Sequence, residues 1–235
     1  MPNPKVSSFA IKYIAPALAL RIRNILLYPK LAVNKKTTDL VVEGFPRAAN
    51  TYVYEVAKQL ILKAGLPRTI AHHLHTSDQV QFALKYSIPL VFVIRNPSDS
   101  IASLCTRRNI DIHAALISYI KYHTRVFKYL YSADPKNFTV LEFERVTTSN
   151  QTSWIEDLKR LLSIESVFDY ETICQNAKLS IYRRNEALAN KKLMSNLPNR
   201  SRKDLLSKAK DLVISAPGYD DAYKLFEAIL KSLAR

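Results

Sequence analysis

The sequence predicts an α/β fold, a three-layer sandwich in which helices cover both faces of a central parallel sheet of about four to five strands. Two observations support this prediction. Short apolar runs alternate with longer segments whose apolar residues recur at helical spacing, as expected for consecutive strand–helix units. The run at residues 89–94 is apolar throughout, which is typical of a strand that is buried on both faces of a parallel sheet.

The remaining elements follow from the same two patterns. Predicted strands lie at residues 40–43, 69–71, 89–94 and 138–142. Predicted helices lie at residues 50–63, 77–86, 97–107, 111–132 and 152–162. Ser77 is the predicted N-cap of the second helix, and Pro97 suits the first position of the third.

The two ends of the chain differ in character from this middle part. Residues 1–39 are predicted to form an N-terminal helical arm, and residues 40–235 a single α/β domain. Residues 183–202 are polar and basic and are predicted to be loop. Two closing helices are predicted at residues 203–214 and 219–233.

The chain is strongly basic. Its 235 residues carry a formal charge of +15, from 35 Lys and Arg against 20 Asp and Glu. Such a balance favours acidic partners, among them nucleotides, anionic lipid surfaces and sulfated or phosphorylated substrates. The sequence has no repeat of interleaved basic and aromatic residues like those of single-strand binders, so nucleic acid is not expected as a partner.

Cysteine usage and the N-terminal region bear on where the protein works. Cys105 and Cys174 form no CxxC pattern and are predicted to be reduced, as in a cytoplasmic protein. Residues 8–31 are too interrupted by charges and prolines to supply the ~18–20 apolar residues of a membrane span. Residues 17–27 are a candidate amphipathic helix for peripheral membrane contact, and packing against the domain is the alternative.

Two segments, residues 41–52 and 90–104, share the plan of a strand, a tight loop and the start of a helix. The first contains Arg47 and Thr51, and the second has Arg95 at the strand end with Ser103 eight residues later. A strand that feeds a helix N-terminus builds an anion site, because backbone N–H groups and the helix dipole point at the ligand. Two such sites in one sheet predict a ligand with two separated phosphate-like groups.

The first of these loops is not a Walker-type phosphate loop. It lacks the second glycine and the lysine of the pattern G-x-x-x-x-G-K-S/T, which argues against an ordinary ATPase. Residues 46–52, PRAANTY, instead resemble the 5′-phosphosulfate loop, P-K/R-S-G-x-T-W/Y, of sulfotransferases that use 3′-phosphoadenosine 5′-phosphosulfate (PAPS). That family has a P-loop-like α/β fold.

Further segments carry the same resemblance. Residues 95–103, RNPSDSIAS, resemble the family's 3′-phosphate motif R-N-P-x-D-x-x-x-S without a gap. Residues 141–146, LEFERV, resemble its L-x-Y-E-D-L stretch, with Phe143 in place of the tyrosine. The resemblance covers residues 40–162, about half the chain. The family's R-K-G…G-D-W-K stretch is missing, and Arg202, in the basic run at residues 200–203, is the candidate substitute in donor binding.

The resemblance implies a donor site and no metal requirement. The implied residues on the 5′ side of PAPS are Arg47, Ala48, Ala49, Asn50, Thr51 and Tyr52. Arg95 and Ser103 are implied to hold the 3′-phosphate, Tyr52 to face the adenine, and Phe143 to contribute to donor binding. In the first loop, Ala48-Ala49 replaces the family's Ser-Gly.

Three histidines within four residues are candidates for the base. His73 lies 22 residues before Arg95, where the family places its base, while His75 is the second candidate and His72 the third. An imidazole with a pKa of ~6.5 can accept a hydroxyl proton near neutral pH. The cluster lacks the further ligands that a metal site would need.

The resemblance therefore implies an enzyme that transfers a sulfuryl group from PAPS to a hydroxyl or amine and releases adenosine 3′,5′-diphosphate. Arg47 would stabilise charge on the leaving group, because arginine stays protonated. The positive charge favours an acidic glycan, lipid or peptide as acceptor. The alternatives are a P-loop nucleotide kinase-like enzyme and a catalytically inactive basic module that binds anionic lipid or nucleic acid.

Overall fold

Four parallel strands form the central sheet of the computed structural model, which describes residues 25–29, 31–148, 152–189 and 200–233 and the side chains of all of these except 187–189, 200–203 and 233. The strands are β1 (Leu40–Gly44), β2 (Ile70–His72), β3 (Leu90–Ile94) and β4 (Phe138–Glu142). Their order in the sheet is β2-β1-β3-β4, and every neighbouring pair is parallel.

Nine α-helices accompany the sheet within the described residues. They are α1 (Asn50–Lys63), α2 (Ser77–Lys85), α3 (Pro97–Arg108), α4 (Ile112–Tyr131), α5 (Phe143–Thr147), α6 (Ser153–Leu161), α7 (Tyr170–Ala189), α8 (Arg200–Ile214) and α9 (Tyr219–Leu233). A short 3₁₀ turn (Pro135–Asn137) precedes β4.

Two apolar cores, one on each face of the sheet, confirm the predicted three-layer sandwich. Alternate residues of β3 point to opposite faces, as the period of a strand requires. Phe92 belongs to a core that includes residues of α2, α3, α4, α8 and α9, whereas Val91 and Val93 belong to a core that includes residues of α1, α6 and α7. Both central strands are buried along their whole length, which explains why β3 is apolar throughout and why β1 is apolar except at Glu43.

The connections place a topological switch point between β1 and β3. These strands are neighbours in the sheet, yet the helix that follows β1 packs on one face and the helix that follows β3 packs on the other. Ligands of open α/β sheets bind in the crevice at such a point, outside the carboxyl ends of the strands. The two predicted anion loops, residues 45–49 and 95–96, flank this crevice.

Local signals fix several helix boundaries. Pro97 is the first residue of α3, as predicted, and the side chain of the preceding Asn96 accepts a hydrogen bond from the Ser98 amide at 3.0 Å. Asp111 caps α4 in the same manner, through the Ala114 amide at 2.9 Å. The prediction for α2 was wrong by one residue, because Thr76 is the N-cap and Ser77 begins the helix.

The predicted loop at residues 183–202 was also wrong at residues 183–189 and 200–202, which are helical, while its residues 190–199 lie outside the described residues. Helix α7 continues to Ala189, and α8 begins at Arg200, three residues before the predicted start. Ile173 and Ala177 lie one helical turn apart and are buried in the core that α7 shares with α1 and α6. Charged and polar residues interrupt the apolar pattern of α7, so the helical spacing of its apolar residues is weak in the sequence.

The chain before β1 pairs with the outer edge of the sheet. The Leu31 carbonyl accepts hydrogen bonds from the His72 amide at 3.2 Å and from Gln79 Nε2 at 2.9 Å. Gln79 Oε1 in turn accepts from the Val33 amide at 2.8 Å, and Val33 is buried. Residues 1–24, which hold most of the predicted arm, lie outside the described residues. None of the helices that the structure describes has the length and apolar character needed to cross a bilayer.

Candidate functional site

The first anion loop begins at a position where only glycine fits. A Cβ on Gly44 would lie 2.3 Å from the Val93 carbonyl oxygen and 2.5 Å from Asn50 Oδ1. Because Gly44 has no side chain, the end of β1 can approach β3 closely and the Asn50 side chain can lie beneath the loop. Asn50 Nδ2 donates to the carbonyls of Gly44 and Phe45, both at 3.0 Å, and these bonds hold the loop in its turn.

The loop backbone is shaped like an anion cradle. Arg47 has φ 75° and Ala49 has φ 68°, both in the left-handed region. Ala49 is the N-cap of α1, and no side chain caps this helix end. The first amides of a helix have no partner within the helix, and together with the helix dipole they favour an anion. Glycine adopts the left-handed conformation of Ala49 more readily than alanine does.

The two predicted loops meet directly. Arg47 Nε donates to Ser103 Oγ at 2.9 Å, and Arg95 Nη1 donates to the Arg47 carbonyl at 3.0 Å. Ser100 Oγ adds a third link, to the Pro46 carbonyl at 3.0 Å. The structure therefore brings Arg47, Arg95 and Ser103 together at the switch point, although 56 residues separate the ends of this set in the chain.

Arg95 is held in place from several sides. Its guanidinium lies over the Phe143 ring at 3.9 Å from the ring centre, and its carbonyl accepts from the Tyr119 hydroxyl at 2.9 Å. Burial lowers the pKa of Arg95, and Asp99 and Glu144 oppose that effect. Within the described part of the chain, Arg95 Nε is buried without a hydrogen-bond partner. A buried donor without a partner is a group that an anionic ligand can satisfy.

The histidine cluster lies beside the first loop. His73 Nε2 is 2.7 Å from Thr51 Oγ1, and its other ring nitrogen, Nδ1, contacts Nδ1 of His72. Burial lowers the pKa of His73 to about 3, and the neighbouring His72 and His75 lower it further in lesser degree. Burial also lowers the pKa of His72, to about 4. Both rings are therefore neutral at pH 7 and keep a lone pair.

His75 has a different environment, because a buried carboxylate lies next to it. Its Nδ1 is 2.8 Å from the Gly44 carbonyl and 3.5 Å from Glu43 Oε1, and its amide donates to the same carboxylate at 3.1 Å. Burial lowers the pKa of His75, but the hydrogen bond and charge of Glu43 outweigh burial and raise it above its usual value. His75 is thus the most basic imidazole of the three.

Glu43 is a site residue that the sequence prediction missed. It is fully buried and also accepts from the Gly44 amide at 3.0 Å. Buried acidic side chains are rare unless they are paired. The one signal in the sequence is that Glu43 interrupts an apolar strand immediately before the loop glycine.

The aromatic residue after the first loop lines a cavity of about 190 Å³. Tyr52 lies 6.1 Å from the Trp154 ring, and burial and Cys174 raise its pKa. The cavity also contacts α5 and α7, with Thr147, Glu171 and Gln175 in its wall. This cavity adjoins the first turn of α1, so Tyr52 lies where a base attached to a ligand in the first loop could reach.

Two further predictions concern basic and metal-binding residues. The side chain of Arg202 lies outside the described residues, so its predicted part in donor binding stays a prediction. In the part of the chain that the structure describes, no group of three or more His, Cys, Asp and Glu residues could hold a metal ion.

No protein-family model matches this sequence, and no curated protein is significantly similar to it.

Proposed function

We propose that the protein transfers a sulfuryl group from PAPS to a hydroxyl or amine acceptor. The observation that carries the proposal is the meeting of the two anion loops, in which Arg47 Nε lies 2.9 Å from Ser103 Oγ and Arg95 contacts the Arg47 carbonyl. A ligand with a charged group at each end of one nucleoside needs cations and helix N-termini from two adjacent strand ends. Arginine suits both positions, because its planar fork binds phosphate or sulfate through paired hydrogen bonds.

The donor would take over contacts that the protein groups now make with one another. Arg47, Thr51 and the amides at the start of α1 would hold the phosphosulfate. Arg95 and Ser103 would hold the 3′-phosphate, and the unpartnered Arg95 Nε would gain an acceptor. The cavity beside Tyr52 would receive the adenine, which extends the prediction that Tyr52 faces the base.

The chemical step needs a base and stabilisation of the leaving group. His73 Nε2 takes the proton of the acceptor hydroxyl, the acceptor oxygen bonds to sulfur, and the bond from sulfur to the bridging phosphate oxygen breaks. The negative charge passes to adenosine 3′,5′-diphosphate, where Arg47 and the α1 N-terminus stabilise it. His73 is neutral at pH 7 before the donor binds, and the donor's negative charge would raise its pKa and favour proton uptake.

The base is tested by a pair of variants. We expect His73→Asn to lower turnover by about 100-fold or more, the range typical for loss of a general base, without weakening binding of adenosine 3′,5′-diphosphate. His113→Asn, at an exposed position on α4, is the matched control and should keep full turnover. If His75→Asn abolishes turnover and His73→Asn does not, the base is His75, the second candidate.

The donor site is tested by thermal shift. Adenosine 3′,5′-diphosphate should raise the melting temperature, and the rise should grow with the logarithm of its concentration above Kd, because it binds only the folded protein. ATP with magnesium is the matched nucleotide and should have a smaller effect. A larger shift with ATP and magnesium would favour the nucleotide kinase alternative, and no shift with either would leave an inactive basic module.

A further inference from the structure

A second cavity, of about 370 Å³, opens beside the histidine cluster. One wall is the loop that leads into α2, with His75, Thr76 and Ser77, and the other is a stripe of α4 that includes Ser118, Tyr122 and Arg125. We call this cavity the α4 groove. Its volume falls in the range of ~300–1,000 Å³ that is typical of small-molecule sites.

Two residues that line the groove, Tyr122 and Thr76, have buried hydroxyl groups that lack hydrogen-bond partners within the described residues. In the described part of the chain, neither Tyr122 Oη nor Thr76 Oγ1 makes a hydrogen bond. Tyr122 is only 8% exposed, and burial raises its pKa well above the usual value, so its hydroxyl stays protonated and able to donate. A buried hydroxyl without a hydrogen-bond partner is unfavourable, so two of them in residues of one cavity wall favour a polar ligand that completes them.

The groove also carries two cations. Lys121 and Arg125 are exposed and one helical turn apart, so they lie on the same side of α4. Among the residues that the structure describes, neither forms an ion pair. Two adjacent cations beside unsatisfied hydroxyls favour a ligand that has both hydroxyl groups and a negative charge.

His75 belongs both to the wall of the groove and to the histidine cluster. The His75 ring lines the groove, its Nδ1 contacts the Gly44 carbonyl at 2.8 Å, and its centre is 5.8 Å from that of His73. A hydroxyl at the inner end of the groove therefore lies next to the histidines and the start of the first loop.

We propose that the α4 groove binds the acceptor and that the acceptor is an acidic oligosaccharide of the uronic acid type. This inference rests on the proposed function and names its substrate class. Lys121 and Arg125 hold the carboxylate, Tyr122 and Thr76 bond to sugar hydroxyls, and one hydroxyl faces His75 and His73. The hydroxyls of Ser77 and Ser118 in the same wall suit a sugar better than a lipid chain.

Equilibrium binding tests this proposal without turnover. The probes are unsulfated chondroitin tetrasaccharide and the same tetrasaccharide with its carboxyl groups reduced to alcohols, measured by calorimetry at one salt concentration. We expect the wild-type protein to bind the acidic form at least tenfold more tightly. Lys121→Gln/Arg125→Gln should lose that preference.

The matched control removes the same charge elsewhere. Lys85 and Lys136 precede β3 and β4 and so lie near the opposite edge of the sheet. Lys85→Gln/Lys136→Gln should keep the tenfold preference. If this control loses the preference as well, the acid binds through net charge alone and the proposal fails.

Tyr122→Phe gives an independent test that does not depend on charge. Loss of a hydroxyl that has no partner should leave the melting temperature unchanged or higher, while binding of both tetrasaccharides weakens several-fold. Unchanged binding would remove Tyr122 from the site and contradict the proposal.

Thermal shift with adenosine 3′,5′-diphosphate on the same proteins separates the two proposals. If this nucleotide stabilises every variant but the wild-type protein does not prefer the acidic tetrasaccharide, the acceptor inference is wrong and the donor site stands. If the acidic tetrasaccharide binds as expected and the nucleotide does not, the proposed function is wrong and the groove is a saccharide site of another activity.

Binding to phosphatidylserine vesicles that requires Lys121 and Arg125, without binding of the tetrasaccharide, would overturn the inference in favour of a lipid surface.

Discussion

Individual residues of the candidate site are held in conformations and environments that cost free energy. Ala49 is left-handed at the N-cap of α1, and His123 is fully buried beneath the first loop, in contact with Phe45. Strained backbone and buried titratable groups are common at functional sites, where surrounding structure keeps them in place. Both features can be measured without any ligand.

Ala49→Gly should stabilise the protein. A left-handed alanine costs about 1–2 kcal/mol, and glycine removes this strain. Glycine also gives the unfolded chain more conformational entropy, which offsets part of the stabilisation. We therefore expect an increase of about 0.5–1 kcal/mol in the free energy of unfolding. Ala48→Gly is the control, because Ala48 is buried and lacks a positive φ, and it should destabilise. Urea unfolding measures both, and a loss of stability in Ala49→Gly would contradict the strain.

His123 should make stability depend on pH below neutrality. Burial lowers the pKa of His123 to about 3, although its Nδ1 donates to the Tyr119 carbonyl at 3.0 Å. Below pH ~6.5 the unfolded chain binds a proton at this histidine and the folded chain does not, so stability falls as pH falls. Between pH 7 and pH 5 this histidine alone should remove about 2 kcal/mol of unfolding free energy.

Urea unfolding of His123→Phe at the two pH values measures that contribution. The variant should lose about 2 kcal/mol less than the wild-type protein between pH 7 and pH 5. His113→Phe, at an exposed position on the same helix, should behave as the wild-type protein does. The raised pKa of His75 acts with the opposite sign, because its contribution is present in acid and is lost as pH rises through its folded-state value.

At the scale of the elements, α7 packs on α1 through contacts that include the ion pair between Arg184 and the buried Glu55. Glu55 of α1 is fully buried, and it is bound by Arg184 and by Ser180 Oγ at 2.9 Å. A buried carboxylate is costly unless it is paired, so this contact fixes where α7 lies on α1. The same helix supplies one wall of the cavity beside Tyr52.

Arg184→Met should therefore lower the free energy of unfolding and also destabilise the cavity wall that α7 supplies. We expect a loss of about 2 kcal/mol, which is less than for a fully buried pair because the Arg184 side chain is 40% exposed. Glu55→Gln/Arg184→Met should recover part of this loss, because it removes the buried carboxylate charge that Arg184→Met alone leaves unpaired. Arg183→Met, exposed and adjacent, should stay within about 0.5 kcal/mol of the wild-type value. Equal losses in Arg183→Met and Arg184→Met would contradict the role of the pair.

How far the sequence predicts the elements depends on whether their signals are local. Helix α1 and strand β4 begin and end at the predicted residues, because apolar periodicity and flanking turn residues are local. Helix α7 was missed because a partner 129 residues away in sequence satisfies one of its polar side chains, Arg184. The pairing of Glu43 with His75 could not be predicted for the same reason, since it depends on two strands lying side by side.

At the scale of the whole molecule, the order β2-β1-β3-β4 gives the site its geometry. Two loops that the sequence placed about 50 residues apart end on adjacent strands, so their cations share one crevice. The prediction of two anion loops in one sheet needed only the alternation of strands and helices. Their direct contact, through Arg47 and Ser103, required the three-dimensional structure.

A basic surface adds long-range attraction to this local site. With a formal charge of +15, the protein attracts any polyanion at low salt. The effect of removing one phosphate from a nucleotide is therefore informative when it is compared between the wild-type protein and an arginine variant. Adenosine 3′,5′-diphosphate and adenosine 5′-phosphate differ only in the group that Arg95 would hold.

The central claim is that one crevice binds both ends of such a nucleotide, and a comparison of these two ligands tests it most directly. Calorimetry should show that the wild-type protein binds adenosine 3′,5′-diphosphate at least tenfold more tightly than adenosine 5′-phosphate, about 1.4 kcal/mol, and that Arg95→Met abolishes the difference. Equal affinity of the wild-type protein for the two nucleotides, or a difference that Arg95→Met leaves intact, would contradict the account.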